Sequence, residues 1–176
     1  MQWIQTITYR TEGKGPHKTM LWEGERNMVD QWDLVKRFYY DPVTNGSNSL
    51  KAVLPAAISR SSYVQDTYTQ PVYGLHIRSK NFHQYAWLET DGNGGYISPY
   101  HQLPEIFDGW TRDELDRRVH PDDELDDGGA AMTAYNMMQF TEMEERERQR
   151  IISALLRYCE LDTLAMVMLW EFWMRG

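Results

Sequence analysis

Tyr158 and Asp162 stand four residues apart near the carboxy-terminal end of the chain, a spacing that stacks two side chains on one face of an α-helix. Residues 157–173 around them are strongly apolar and free of Gly and Pro, long enough for about four helical turns. Leu161, Leu164, Ala165, Met168 and Phe172 recur at steps of three and four, which predicts one buried stripe. A phenol and a carboxylate at the head of such a helix form a small polar feature in an otherwise apolar element. Two other places carry residues suited to chemistry. Lys51 follows Ser49 in the first turn of a predicted helix, where a cation gains nothing from the helix dipole; it reads as a phosphate contact or an ordinary surface lysine. Gly128 and Gly129 lead another helix. They read as close-approach positions behind an Asp127 cap, or as backbone amides facing a phosphate.

Several other chemistries lack their spacing. The histidines at 17, 76, 83, 101 and 120 make no zinc pattern. Asp122, Asp123, Asp126 and Asp127 lack the glycine and terminal glutamate of a calcium loop. Gly13 and Gly15 precede no Gly-Lys-Ser/Thr ending. The single cysteine, Cys159, excludes an internal disulfide and a cysteine zinc cluster; its place in the apolar helix predicts a core residue.

The 176 residues suit one domain, and 41% apolar residues suffice for a core. A formal charge of -8 argues against broad nonspecific nucleic-acid binding. With no signal peptide and no span-length apolar run, a reducing cytoplasmic setting and no membrane are expected.

Residues 1–9 suit an edge strand or a helix, and 11–17 a loop. Met28 and Val29 suit the end of a strand, and Asp30 then caps a helix with Trp32, Val35, Phe38 and Tyr39 as its stripe. Asp30 and Asp33 are also the nearest carboxylates in type to pair with Asp162. Ser47 or Asn48 caps a helix from about Ser49, burying Leu50, Val53, Leu54 and Ile58, with Pro55 expected to kink or limit it. A helix and a turn at Pro71 follow. Alternation at Tyr85 and Trp87, with Asp91-Gly92-Asn93-Gly94, predicts a β-hairpin. The acidic run 107–129 reads as a solvated face around a short helix. Met132, Met137, Met138 and Met143 read as core filling. Thr141 reads as the cap of the last helical region, with Glu142–Arg146 and Glu144–Arg148 as ion pairs. One helix from Met143 to Arg175 would run about 50 Å, which is long for a compact domain of this size; a break near Arg157 is expected, with Tyr158 at a helix start. The fold class expected is α+β and helix-rich.

Tyr-x-x-x-Asp leading a carboxy-terminal apolar helix resembles the third motif of the DnaQ-like exonucleases, ribonuclease H-fold enzymes of the DEDD type with tyrosine. The order of blocks is also similar to a family of uncharacterised bacterial proteins, a domain of unknown function grouped with those exonucleases. The blocks are the Asp-led helix, Tyr-Tyr-x-Pro, Gly-Ser-Asn-Ser-Leu-Lys-Ala-Val-Leu-Pro, Asp-Gly-Gly-Ala-Ala-Met and Arg-Tyr-Cys-Glu-Leu-Asp-Thr-Leu-Ala-Met-Val. The likeness covers roughly residues 27–174. It implies that residues 27–176 are the C-terminal half of a nuclease-type domain with a small hairpin insertion, after a poorly defined segment 1–26. It implies Asp162 as a ligand to Mg2+ or Mn2+ and Tyr158 as the group orienting the attacking water; in such an enzyme Ser49, Lys51, Gly128 and Gly129 would be the candidate contacts to a nucleic-acid backbone. Two hard cations need several carboxylate oxygens. The Asp-x-Glu strand and the second catalytic motif are missing, and residues 1–26 contain no Asp. The expectation is therefore a portion of a metal-dependent exonuclease acting on DNA or RNA, inactive alone, with a missing nuclease half or partner chain. The alternative is a non-catalytic interaction module or degenerate nuclease remnant, able to self-associate through its aromatic surplus, Trp170 and Trp173 included.

Overall fold

The structure, a computed structural model, describes residues 2–103 and 127–175. It is α+β and helix-rich, and divides into two compact units, Met1–Tyr40 and Asp41–Gly176.

In the first unit, α1 (Gln2–Ile7) leads into an antiparallel pair, β1 (Tyr9–Glu12) and β2 (Thr19–Glu23). Tyr9 pairs with Glu23 and Glu12 with Thr19, with an irregularity between Arg10 and Thr11. The expected loop thus begins two residues later, after Glu12. Gly13 is required at the turn: φ is +94°, and a Cβ would lie 2.4 Å from the His17 carbonyl oxygen. Met28 and Val29 are exposed and join no strand. Asp30 caps α2 (Gln31–Phe38) as expected, its Oδ1 accepting from the Trp32 amide at 2.9 Å. Of the expected stripe only Val35 is buried; Trp32 and Phe38 are exposed.

The second unit opens on a short 3-10 turn, Pro42–Thr44. Asp41 caps it through Val43 and also meets Arg60 Nε at 3.1 Å. Then come α3 (Leu50–Arg60) and α4 (Ser62–Tyr68). Pro55 lies within α3 without ending it, removing the bond its N–H would give to Lys51. Val53, Leu54 and Ile58 are buried as the spacing demands, with Ala56 and Ala57 beside them. Residues 69–103 are mostly irregular. The expected hairpin reduces to one bridge, Thr90 with Tyr96, around a turn in which Asp91 Oδ1 accepts from the Asn93 and Gly95 amides. Tyr85 pairs instead with Tyr73, and the Trp87 and Leu88 amides donate to the Tyr68 carbonyl. This arm is drawn to the core, because Trp87 and Leu88 are buried and an alternating surface arm could not bury them both.

Beyond the undescribed stretch, α5 (Asp127–Phe140) and α6 (Glu145–Arg175) form a helical pair. Two expectations fail here. Thr141 continues α5 through its amide bond to the Met137 carbonyl, and α6 begins only at Glu145. No break occurs at Arg157: α6 is continuous over 31 residues, about 46 Å. The length is accommodated because successive parts serve different neighbours. Ile151 packs with Ala134 and Met138 of α5, while Leu161, Leu164, Ala165, Met168 and Leu169 are buried where α6 meets α3 and α4. Met137 and Met138 fill the core as expected, whereas Met132 is exposed. Cys159 falls off the buried stripe and is exposed, correcting the core assignment. No described helix is long and apolar enough to cross a membrane.

Candidate functional site

The middle of α6 carries the candidate pair. Because the helix is unbroken, Tyr158 and Asp162 sit on successive turns well inside it, both half-buried. Opposite them is a 3-10 turn, Pro99–Gln102, which presents Tyr100. The buried Tyr100 hydroxyl donates to Asp162 Oδ1 at 2.7 Å, and its ring lies 6.1 Å from that of Tyr158. Lys51, from the first turn of α3, places Nζ 5.6 Å from the centroids of both rings, within cation–π range. Lys51, Tyr158 and Asp162 therefore converge on Tyr100, the member that sequence reasoning missed. No spacing could have found it, since it lies 62 residues from Asp162 in the chain.

Ser49 is the exposed residue before α3, and its side chain makes no capping bond. Gly128 and Gly129 lie in the first turn of α5, whose described packing runs to Ile151 on the early part of α6. Asp30 is used as a cap, and Asp33 pairs with Lys36 at 2.7 Å, which holds its carboxyl below the usual range by hydrogen bond and charge. Asp122, Asp123, Asp126 and His120 lie outside the described residues, and nothing is described of the Asp127 side chain.

Tyr100 and Asp162 repeat a pattern along α6. The Tyr73 hydroxyl donates to Glu160 Oε1 at 2.8 Å, and the Tyr68 hydroxyl donates to Glu171 Oε2 at 2.8 Å. Three phenols from the chain before α5 thus grip three carboxylates of one helix. Burial first, then the carboxylate partner, pushes the Tyr68 and Tyr73 phenols well above their ordinary range. Burial alone would raise Glu160, but hydrogen bonds from Ser79, Tyr73 and Asn81 outweigh it and hold the carboxyl low. Around Tyr73 the rings of Phe82, Tyr85 and Trp87 pack edge to face, with Tyr73 and Trp87 centroids 5.6 Å apart.

A two-cation centre needs several carboxylate oxygens at one place. Among the described residues no three His, Cys, Asp or Glu side chains gather closely enough to hold a metal, and one oxygen of Asp162 already accepts from Tyr100. The described donors do not fit Mg2+ or Mn2+ in the pattern the exonuclease resemblance implies. No protein-family profile, curated protein or solved structure matches the chain.

Proposed function

We propose that this chain acts as a non-catalytic interaction module, with Asp162 serving as the acceptor that pins Tyr100 to α6. The observation that carries this reading is the outward face of α6. It is polar through Arg146, Gln149, Arg150 and Ser153, then turns apolar from Leu156 onward. Leu156, Val167, Trp170 and Met174 remain 52%, 45%, 48% and 63% exposed, while the facing stripe of the same helix fills the core. Leu156, Thr163 and Trp170 recur at seven-residue steps, with Val167 and Met174 in a parallel row, a spacing suited to pairing with another helix. The partner we assign is a second copy of this chain. Four half-exposed side chains offer on the order of 400 Å² per helix, and with their flanks a symmetric pair buries about 1,000 Å², the lower bound of a specific interface. Sedimentation velocity over a range of protein concentrations tests it. A concentration-dependent dimer that Trp170→Glu and Leu156→Glu each abolish, with helicity unchanged by circular dichroism, is expected; a monomer at all concentrations contradicts it.

One observation favours a second reading, a portion of a metal-dependent exonuclease. Lys51 Nζ lies 5.6 Å from the Tyr158 ring centroid although the two are 107 positions apart, which brings a candidate phosphate contact close to the phenol that would orient water. In that reading further carboxylates come from residues beyond the described ones or from another chain, and hydrolysis of single-stranded DNA or RNA should depend on Asp162.

A further inference from the structure

Between residues 74–81 and α6 lies an open cavity of about 520 Å³, distinct in its residues from the cluster around Asp162. Gly74, Arg78, Ser79, Lys80, Asn81 and Glu160 contribute to its wall. The wall is fixed by its own bonds. Gly74 has φ +77°, and a Cβ there would stand 2.2 Å from the Phe82 carbonyl oxygen, so the chain turns where only glycine fits. Ser79 Oγ accepts from the Asn81 and Phe82 amides at 3.1 and 2.9 Å. Tyr73 pairs with both Ile77 and Tyr85.

Charge in this cavity is unevenly satisfied. Glu160 accepts from the Tyr73 hydroxyl and from the Asn81 side-chain amide, and the nearby Ser79 hydroxyl helps hold its carboxyl low. Its charge is thus met by neutral donors. Arg78 and Lys80, both exposed, reach no carboxylate at ion-pair distance among the described residues. A third cation, Arg157, lies one turn before Glu160 with its guanidinium 5.8 Å from the Phe82 ring centroid. Arg78 and Lys80 thus line a cavity whose one acid, Glu160, is held by neutral donors.

We propose that this cavity binds a small phosphate monoester, its phosphoryl group held by Arg78 and Lys80. A guanidinium fork matches two phosphoryl oxygens, and the ammonium supplies a second charge. A volume within the common range of small-molecule sites, roughly 300–1,000 Å³, exceeds what a bare phosphate fills and leaves space for the esterified carbon skeleton against Gly74 and Asn81.

The test is calorimetric titration of the full chain with ribose 5-phosphate, inorganic phosphate and ribose at matched ionic strength. Ribose 5-phosphate should bind saturably, at least tenfold more tightly than inorganic phosphate, and ribose should not bind. The double variant Arg78→Ala/Lys80→Ala should weaken the ester at least tenfold without changing the unliganded melting temperature, because both side chains are exposed. Exchanging Lys14 and Lys18 for Ala should leave binding intact. No saturable binding of the ester at millimolar concentration, or binding unaltered in the Arg78→Ala/Lys80→Ala protein, overturns the site. Equal affinity for inorganic phosphate and the ester overturns the monoester assignment.

Discussion

Removing one oxygen atom, by Tyr100→Phe, isolates the contact that decides how Asp162 is used. The ring stays against Tyr158, so packing is conserved and the change falls on the 2.7 Å bond to Asp162 Oδ1. A hydrogen bond to a charged acceptor is worth about 1.5–3 kcal/mol when both groups are removed from water. Tyr100 is buried but Asp162 is half-exposed, and water can replace part of what the carboxylate loses. We therefore expect a cost of about 1–2 kcal/mol, or a drop of about 3–6 °C in melting temperature for a unit of this size. The decisive comparison is a double-mutant cycle followed by urea unfolding. In an Asp162→Ala background, Tyr100→Phe should cost clearly less than in the unaltered chain, because the bond to Asp162 is already gone there. Fully additive costs would refute the claim that Asp162 serves as the Tyr100 anchor.

Other consequences follow from the same contacts. Tyr68 and Tyr73 ionise in the unfolded chain near pH 10.0 but well above it when folded, so their stabilisation is complete below pH 10 and is lost as pH rises further; pH-jump unfolding of Tyr68→Phe should show a shallower alkaline limb. Glu160 and Asp41 have the opposite sign, with folded values below the ordinary 4.5 and 3.8. Their stabilisation is present above those values and lost as pH falls through the lower folded ones, and Glu160→Gln should flatten the acid limb of the melting-temperature profile. Gly74→Ala combines a left-handed φ with a backbone clash and should cost at least about 2 kcal/mol in chemical denaturation.

What could be read from the chain is governed by the range of the forces involved. Asp30 as a cap, the buried row from Leu161 to Met168 and the burial of Val53, Leu54 and Ile58 are local consequences of side-chain type and helical period. Neither the approach of Lys51 to Tyr158 nor the bond from Tyr100 to Asp162 had a local signal. The Tyr100 hydroxyl is drawn in by a carboxylate far along the chain, and nothing in Ser98-Pro99-Tyr100 announces that partner. The expected hairpin is cut short, keeping its Asp91 turn and the Thr90–Tyr96 bridge, because two adjacent residues, Trp87 and Leu88, both enter the core, defeating the alternation on which strand reasoning depends. The expected break at Arg157 failed because an element can exceed a domain's width when different neighbours cover its two ends. Cys159 was misplaced by averaging over an apolar stretch instead of following which face each residue occupies.

The most direct test of a structural Asp162 is the melting temperature of the full chain during Mg2+ and Mn2+ titration, with Asp162→Ala as the reference. The account predicts that millimolar metal moves neither protein's melting temperature specifically. A saturable metal-dependent rise in the unaltered chain that Asp162→Ala abolishes would contradict it and restore the metal-ligand role.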